Sequence, residues 1–137
     1  MRTALDTNVL SALWSGEPTA HGISTFLGEA RAQGRLVICA PVFVEALAHP
    51  LMTPEIVEQF LGKTGIAVDF DLEEAIWREA ASSFAAYARR RRRSAGDPAK
   101  RLLVDFIVGA HALCRADRLM TLDPRRYNQD FPNLRIV

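Results

Sequence analysis

Short apolar runs alternate along this chain with longer stretches in which apolar residues recur every three or four positions. Thr3 to Leu5, Leu36 to Cys39, Ile66 to Val68, Leu119 to Thr121 and Leu134 to Val137 read as five short strands. The helical pattern covers Asn8 to Ser15, Thr19 to Gln33, Val42 to Ala48, Pro54 to Lys63, Leu72 to Arg92 and roughly Ala99 to Ala116. Pro41 and Pro54 fit first helical positions, Gly34 and Gly65 fit helix ends, and Asp71 fits an N-cap. Strands alternating with helices predict an α/β fold, a parallel sheet covered on both faces with right-handed crossovers. No internal repeat is present. The run Arg89 to Arg93 is the one low-complexity patch, and the Ser94-Ala95-Gly96-Asp97-Pro98 segment after it reads as a mobile loop.

Composition narrows this picture only a little. A chain of 137 residues is one domain, spanning 1–137, with room for a layered core. Its 49% hydrophobic and 24% charged content is that of a soluble globular protein. No apolar run reaches the ~20 residues of a membrane helix, and the start lacks the basic-then-apolar profile of a signal peptide. Cys39 and Cys114 are too few for a disulfide framework; both sit in apolar contexts, which predicts buried free thiols in a reducing cytoplasm. The formal net charge of +1 exerts no global pull on nucleic acid. Charge is nevertheless concentrated in Arg89, Arg90, Arg91, Arg92, Arg93, Lys100 and Arg101, which suit an RNA backbone or a protein partner as well as they suit a solvated helix end. No aromatic residues interleave with them to form a stacking platform.

Four acids change the picture more. Asp6, Glu45, Asp105 and Asp123 each interrupt an apolar or small-residue stretch. A carboxylate in such a setting costs several kcal/mol unless something neutralises it, and a shared divalent metal is the simplest common partner. Asp6 follows the first strand, Glu45 lies about one turn into the helix after the second, and Asp123 follows the fourth. The Asp105 helix must run antiparallel to the fourth strand: descending ~16 Å to Ala116 at ~1.5 Å per residue, then climbing ~13 Å at ~3.3 Å per residue, brings Asp105 level with Asp123. All four then lie at the carboxyl edge of the sheet, where open α/β folds bind ligands. Asp105, Gly109, Ala112 and Ala116 form a small-residue ridge that would let this helix pack close to the sheet and carry Asp105 inward.

Taken singly, each acid has a bland explanation. Asp6 before Thr7 and Asn8 can cap a helix, and Asp123-Pro124 reads as an N-cap with Pro at N1. Asp105 can pair with Arg101, although base-before-acid is the weaker orientation. Glu45, between Val42-Phe43-Val44 and Ala46-Leu47-Ala48, is hardest to explain this way. Independent caps have no reason to converge on one edge. Among the histidines, His21 and His49 read as surface residues and His111 as a hydrogen-bonded core residue; none has the spacing of a zinc ligand.

Leu5-Asp6-Thr7-Asn8-Val9-Leu10, Glu45, Asp105-Phe106-Ile107-Val108-Gly109-Ala110-His111-Ala112 and Leu119-Met120-Thr121-Leu122-Asp123 with Tyr127 beyond resemble the PIN-domain ribonucleases. Within that family the chain looks like a VapC-type toxin of a bacterial or archaeal toxin–antitoxin pair. The resemblance spans nearly the whole chain in order. It implies a three-layer α/β/α sandwich with a parallel sheet of about five strands in the order 3-2-1-4-5. It also implies Mg²⁺- or Mn²⁺-dependent endonucleolytic cleavage of RNA, a cognate antitoxin, and homodimers. Carried over by motif, Asp6, Glu45, Asp105 and Asp123 are the catalytic, metal-binding cluster, and Thr7, Asn8 and Thr121 are supporting polar residues. Asp117 competes with Asp123 for the last place; Asp123 is preferred because it follows the strand and the matched threonine.

An all-carboxylate site suits Mg²⁺, a hard ion that takes oxygen ligands and keeps several waters. Asp6 and Asp123 are assigned as direct ligands, with Glu45 and Asp105 binding directly or through water and orienting the attacking water. Two alternatives stay open. An aspartyl-nucleophile phosphotransferase or phosphatase wants a second acid beside the first and a lysine near the phosphate, whereas position 8 is Asn and the lysines are Lys63 and Lys100. A non-catalytic PIN-like module that grips RNA or protein would be marked by a lost acid.

Overall fold

The computed structural model describes residues 1–93 and 102–137. Lys100, Arg101, the 94–98 segment and the first residues of the helix expected from Ala99 lie outside that description. Four strands, β1 (Arg2–Leu5), β2 (Arg35–Cys39), β3 (Ile66–Asp69) and β4 (Arg118–Met120), are interleaved with seven helices among the described residues. These are α1 (Thr7–Trp14), α2 (Ala20–Gln33), α3 (Ala40–Leu47), α4 (Pro54–Thr64), α5 (Glu74–Arg93), α6 (Leu103–Arg115) and α7 (Arg125–Asn128).

All pairings are parallel and the order is β3-β2-β1-β4. Thr3 lies level with Leu36 on one side and Arg118 on the other. Successive residues of a strand face opposite sides of the sheet, yet Leu36, Val37, Ile38 and Cys39 are all buried in a row, as are Thr3, Ala4 and Leu5. Both faces are therefore covered by helices, which makes the three-layer sandwich. The fifth strand shrinks to one bridge, Leu119 to Ile136, beside β4. Its hydrogen bonds lengthen from 2.8 Å at Leu119 N–Arg135 O to 3.4 Å at Thr121 N–Val137 O, so pairing fades past a single bridge.

Local chemistry sets the helix ends. Thr53 accepts a bond from the Ile56 amide ahead of Pro54, and Gly65 closes α4 in the left-handed region at φ 69°. Asp71 does not cap α5: that helix starts at Glu74, with the Glu73 carbonyl receiving the Ile76 and Trp77 amides. Leu102 is still extended, so α6 begins at Leu103 rather than near Ala99. Gly109 makes the close approach expected of the small-residue ridge, but toward a different partner. A Cβ there would stand 2.3 Å from Cε2 of Phe131, so the glycine admits the ring of the segment after α7 rather than a strand. Cys39 is buried, which pushes its thiol up to about 11, whereas Cys114 is exposed, not buried as expected, because it lies off the apolar face of α6. No helix among the described residues is long and apolar enough to cross a membrane.

Candidate active site

The carboxyl edge of the sheet gathers the site. β1 ends at Leu5, and Asp6 turns the chain into α1 with extended backbone, its Oδ1 accepting the Thr7 amide at 2.8 Å. The capping role is real, but it uses one carboxylate oxygen only. Asp6 Oδ2 receives two hydroxyls, Tyr127 at 2.7 Å and Thr121 at 2.9 Å, in surroundings that leave Asp6 5% exposed. Hydrogen bonds of this kind replace the water that a buried carboxylate has lost.

Thr121, just past β4, is the hub. Its hydroxyl donates to Asp6 while accepting from Asn8 Nδ2 at 3.2 Å and from the Asp123 amide at 3.1 Å. Asn8 Oδ1 in turn takes the Leu122 amide at 3.1 Å, tying the first turn of α1 to the loop that carries Asp123. Across the edge, Thr7 donates to Glu45 Oε1 at 2.6 Å, which brings α3 into the same network. Thr7, Asn8 and Thr121 thus each bridge two elements.

Asp105 sits in the first turn of α6 and is 8% exposed. Arg126 Nη1 lies 3.4 Å from its Oδ1, and Arg126 Nε lies 2.9 Å from Asp123 Oδ2. One guanidinium therefore spans the two acids. Burial lowers the pKa of Arg126, but the Asp105, Asp123 and Asp6 carboxylates together outweigh it and raise the value above the ordinary one. The Tyr127 hydroxyl is held far above its usual range by burial first and by the Asp6 carboxylate second.

All four acids lie at one edge, but they do not close on one point. Among the described residues no group of three or more His, Cys, Asp or Glu side chains is placed to hold a metal ion. Asp105 and Asp123 meet through Arg126, Asp6 is held by Thr121 and Tyr127, and Glu45 joins through Thr7. Asp123 does not cap α7 with its side chain, since that carboxylate turns to Arg126. Asp117 accepts the Arg2 amide at 2.5 Å at the opposite, amino-terminal end of β1, away from the cluster.

Two residues central to this geometry, Arg126 and Tyr127, come from α7, which the apolar pattern did not reveal. Beside Glu45 a cavity of about 330 Å³ opens, lined by Thr7, Ser11, Trp14, His49 and Pro50. His49 is only half-exposed: its Nδ1 accepts the Leu51 amide, which leaves Nε2–H to donate to Ser15 Oγ at 2.9 Å. His111 is buried as expected, with Nε2 2.8 Å from Asp69. In the arginine run, Arg90 pairs with Asp130 and Arg91 meets the Tyr87 hydroxyl, while Arg89, Arg92 and Arg93 are exposed. Asp130 follows closely on α7, so the basic end of α5 lies on the side of the acids.

A family model for the PIN domain matches residues 3–132. The chain belongs to the PIN-domain family. The whole of this PIN domain also superposes on two solved structures. One, at TM-score 0.69 and 14% identity, covers 98% of a chain of VapBC2 from Rickettsia felis bound to a DNA fragment from their promoter. The other, at TM-score 0.68 and 20% identity, covers 97% of a chain of VapBC-1 from nontypeable Haemophilus influenzae. At these identities the likeness is one of fold. No curated protein matches the chain.

Proposed function

We propose that this PIN domain is a metal-dependent endoribonuclease and the toxin of a type II toxin–antitoxin pair. Its substrate is RNA, its partner is a cognate antitoxin in the cytoplasm, and it works as a homodimer. The single observation that carries the nuclease reading is the convergence of Asp6, Glu45, Asp105 and Asp123, from four separate elements, on one edge linked by hydroxyls and a guanidinium. The antitoxin reading draws on the neighbours, both of which come from VapBC assemblies.

The donor set fits Mg²⁺ or Mn²⁺: every candidate ligand is a carboxylate oxygen, and a cation, the Arg126 guanidinium, already spans two of them. Asp6, Glu45, Asp105 and Asp123 would hold the ion. When bound, it supplies counter-charge to the phosphate and lowers the pKa of water. The rest falls to the chain's own side chains. Thr121 and Tyr127 fix the direction of Asp6, and Thr7 fixes that of Glu45, which orients the attacking water. Arg89, Arg92 and Arg93 offer exposed charge to the RNA backbone. An aspartyl nucleophile is disfavoured, because that chemistry wants a second acid close to the first and position 8 is Asn, whose side chain is engaged by Thr121 and the Leu122 amide.

Cleavage of mixed cellular RNA, with and without millimolar Mg²⁺ or Mn²⁺, tests the proposal. Wild-type protein should cut and chelator should stop it. Asp6→Asn should abolish cutting while circular dichroism shows the fold intact. Full activity in Asp6→Asn would refute the assignment, and no cleavage of any RNA by wild type would favour the non-catalytic binding module. Sequencing the new 5′ ends would name the target.

A further inference from the structure

We propose that Arg126 is a resident counter-cation of the acid cluster, and that a divalent ion binds by displacing its guanidinium. The inference rests on the metal-dependent reading above and deepens it.

Asp105 requires a positive neighbour. Its side chain is 10% exposed, and a carboxylate so enclosed is costly without compensation. Arg126 brings positive charge to it from α7, and the same planar fork reaches Asp123 through Nε. The guanidinium thus lies between two of the carboxylates that would hold the ion.

Arg126 is also able to leave. Its side chain is 44% exposed, and Asp123 opposite it is 42% exposed. A long stem with a wet head swings into solvent without opening the core. The Tyr127 side chain next to it in sequence is fully buried and anchors α7, so the exchange involves one side chain and not the helix. Exchanging one cation for another keeps Asp105 compensated throughout. Metal affinity is then a competition, weakened by the fraction of molecules in which Arg126 is docked.

The test is a Mn²⁺ titration, read by calorimetry and by the shift in melting temperature, on wild type, Arg126→Gln, Arg126→Lys and Arg78→Gln. Arg78 pairs with Glu74 on the exposed face of α5 and controls for the loss of one positive charge. Arg126→Gln should bind Mn²⁺ about three- to tenfold more tightly, the effect of removing one or two ion pairs made by a half-exposed guanidinium. It should also melt lower than wild type in chelator and gain more on adding Mn²⁺. Arg126→Lys, which keeps a charge but loses the fork, should fall between, and Arg78→Gln should match wild type. Unchanged or weaker binding in Arg126→Gln would overturn the proposal, as would equal tightening in Arg78→Gln. If Arg126→Gln does not fold, Arg126→Lys decides: tighter binding supports the proposal and equal binding overturns it. Equal saturable binding by all proteins sinks this inference alone, whereas no binding by any sinks the metal reading with it.

Discussion

Tyr127→Phe removes one oxygen atom from a fully buried ring and leaves the packing of that ring unchanged. The lost hydroxyl donates to Asp6 Oδ2 at 2.7 Å, and Thr121 donates to the same oxygen at 2.9 Å. A hydrogen bond to a charged acceptor contributes about 1.5–3 kcal/mol; because Thr121 still serves Oδ2, the loss belongs at the lower end, about 1.5–2 kcal/mol. For a domain of this size that is a drop in melting temperature of roughly 5–8 °C. Thermal denaturation at neutral pH measures it directly. A double-mutant cycle with Asp6→Asn isolates the pair: with a neutral acceptor the cost of removing the hydroxyl should shrink to about 0.5–1 kcal/mol. A variant melting with wild type, or an equal loss in both backgrounds, would refute the reasoning that Tyr127 works by holding an ionised Asp6.

Gly109→Ala should destabilise the protein by about 1–3 kcal/mol, since the new methyl meets the buried Phe131 ring with no free space; urea denaturation checks this, and a neutral result would contradict the packing described. His111 supplies a pH test. Burial drives its pKa below 6.5 despite the Asp69 partner, so the unfolded chain takes up a proton that the folded chain refuses. Stability should therefore fall as pH drops from about 7 to 5, and His111→Gln should flatten that slope; parallel slopes in the two proteins would contradict it. Asp69, lowered from 3.8 against the desolvation that raises it by its bonds to His111 and Arg2, loses its contribution only below that window.

The acids were legible because burial makes a carboxylate conspicuous. Asp6 after Thr3-Ala4-Leu5, and Asp105 on an otherwise apolar helix, announce themselves against their neighbours. Strand and helix periods then place them at one edge. What stayed hidden depends on contacts between segments far apart in the chain. The α7 helix is one turn of four residues, too short to show a period, so Tyr127 and Arg126 gave no helical signal. Arg126 lies three positions after Asp123, a spacing that on a helix would have paired them, and that clue was available. Phe131 meets Gly109 from beyond α7, a partnership that no local pattern encodes. The cap does not exhaust Asp6: one oxygen accepts the Thr7 amide, and the other accepts the Thr121 and Tyr127 hydroxyls.

The central proposal is that carboxylates gathered at one edge from four parts of the chain would together hold a cation. Calorimetric titration of Mn²⁺ into wild type and into Asp6→Asn, Glu45→Gln, Asp105→Asn and Asp123→Asn tests it most directly. Saturable binding in wild type, weakened in each of the four variants with the fold retained, is the expected outcome. Binding that survives all four substitutions unchanged, or no saturable binding to the wild-type protein, would contradict it.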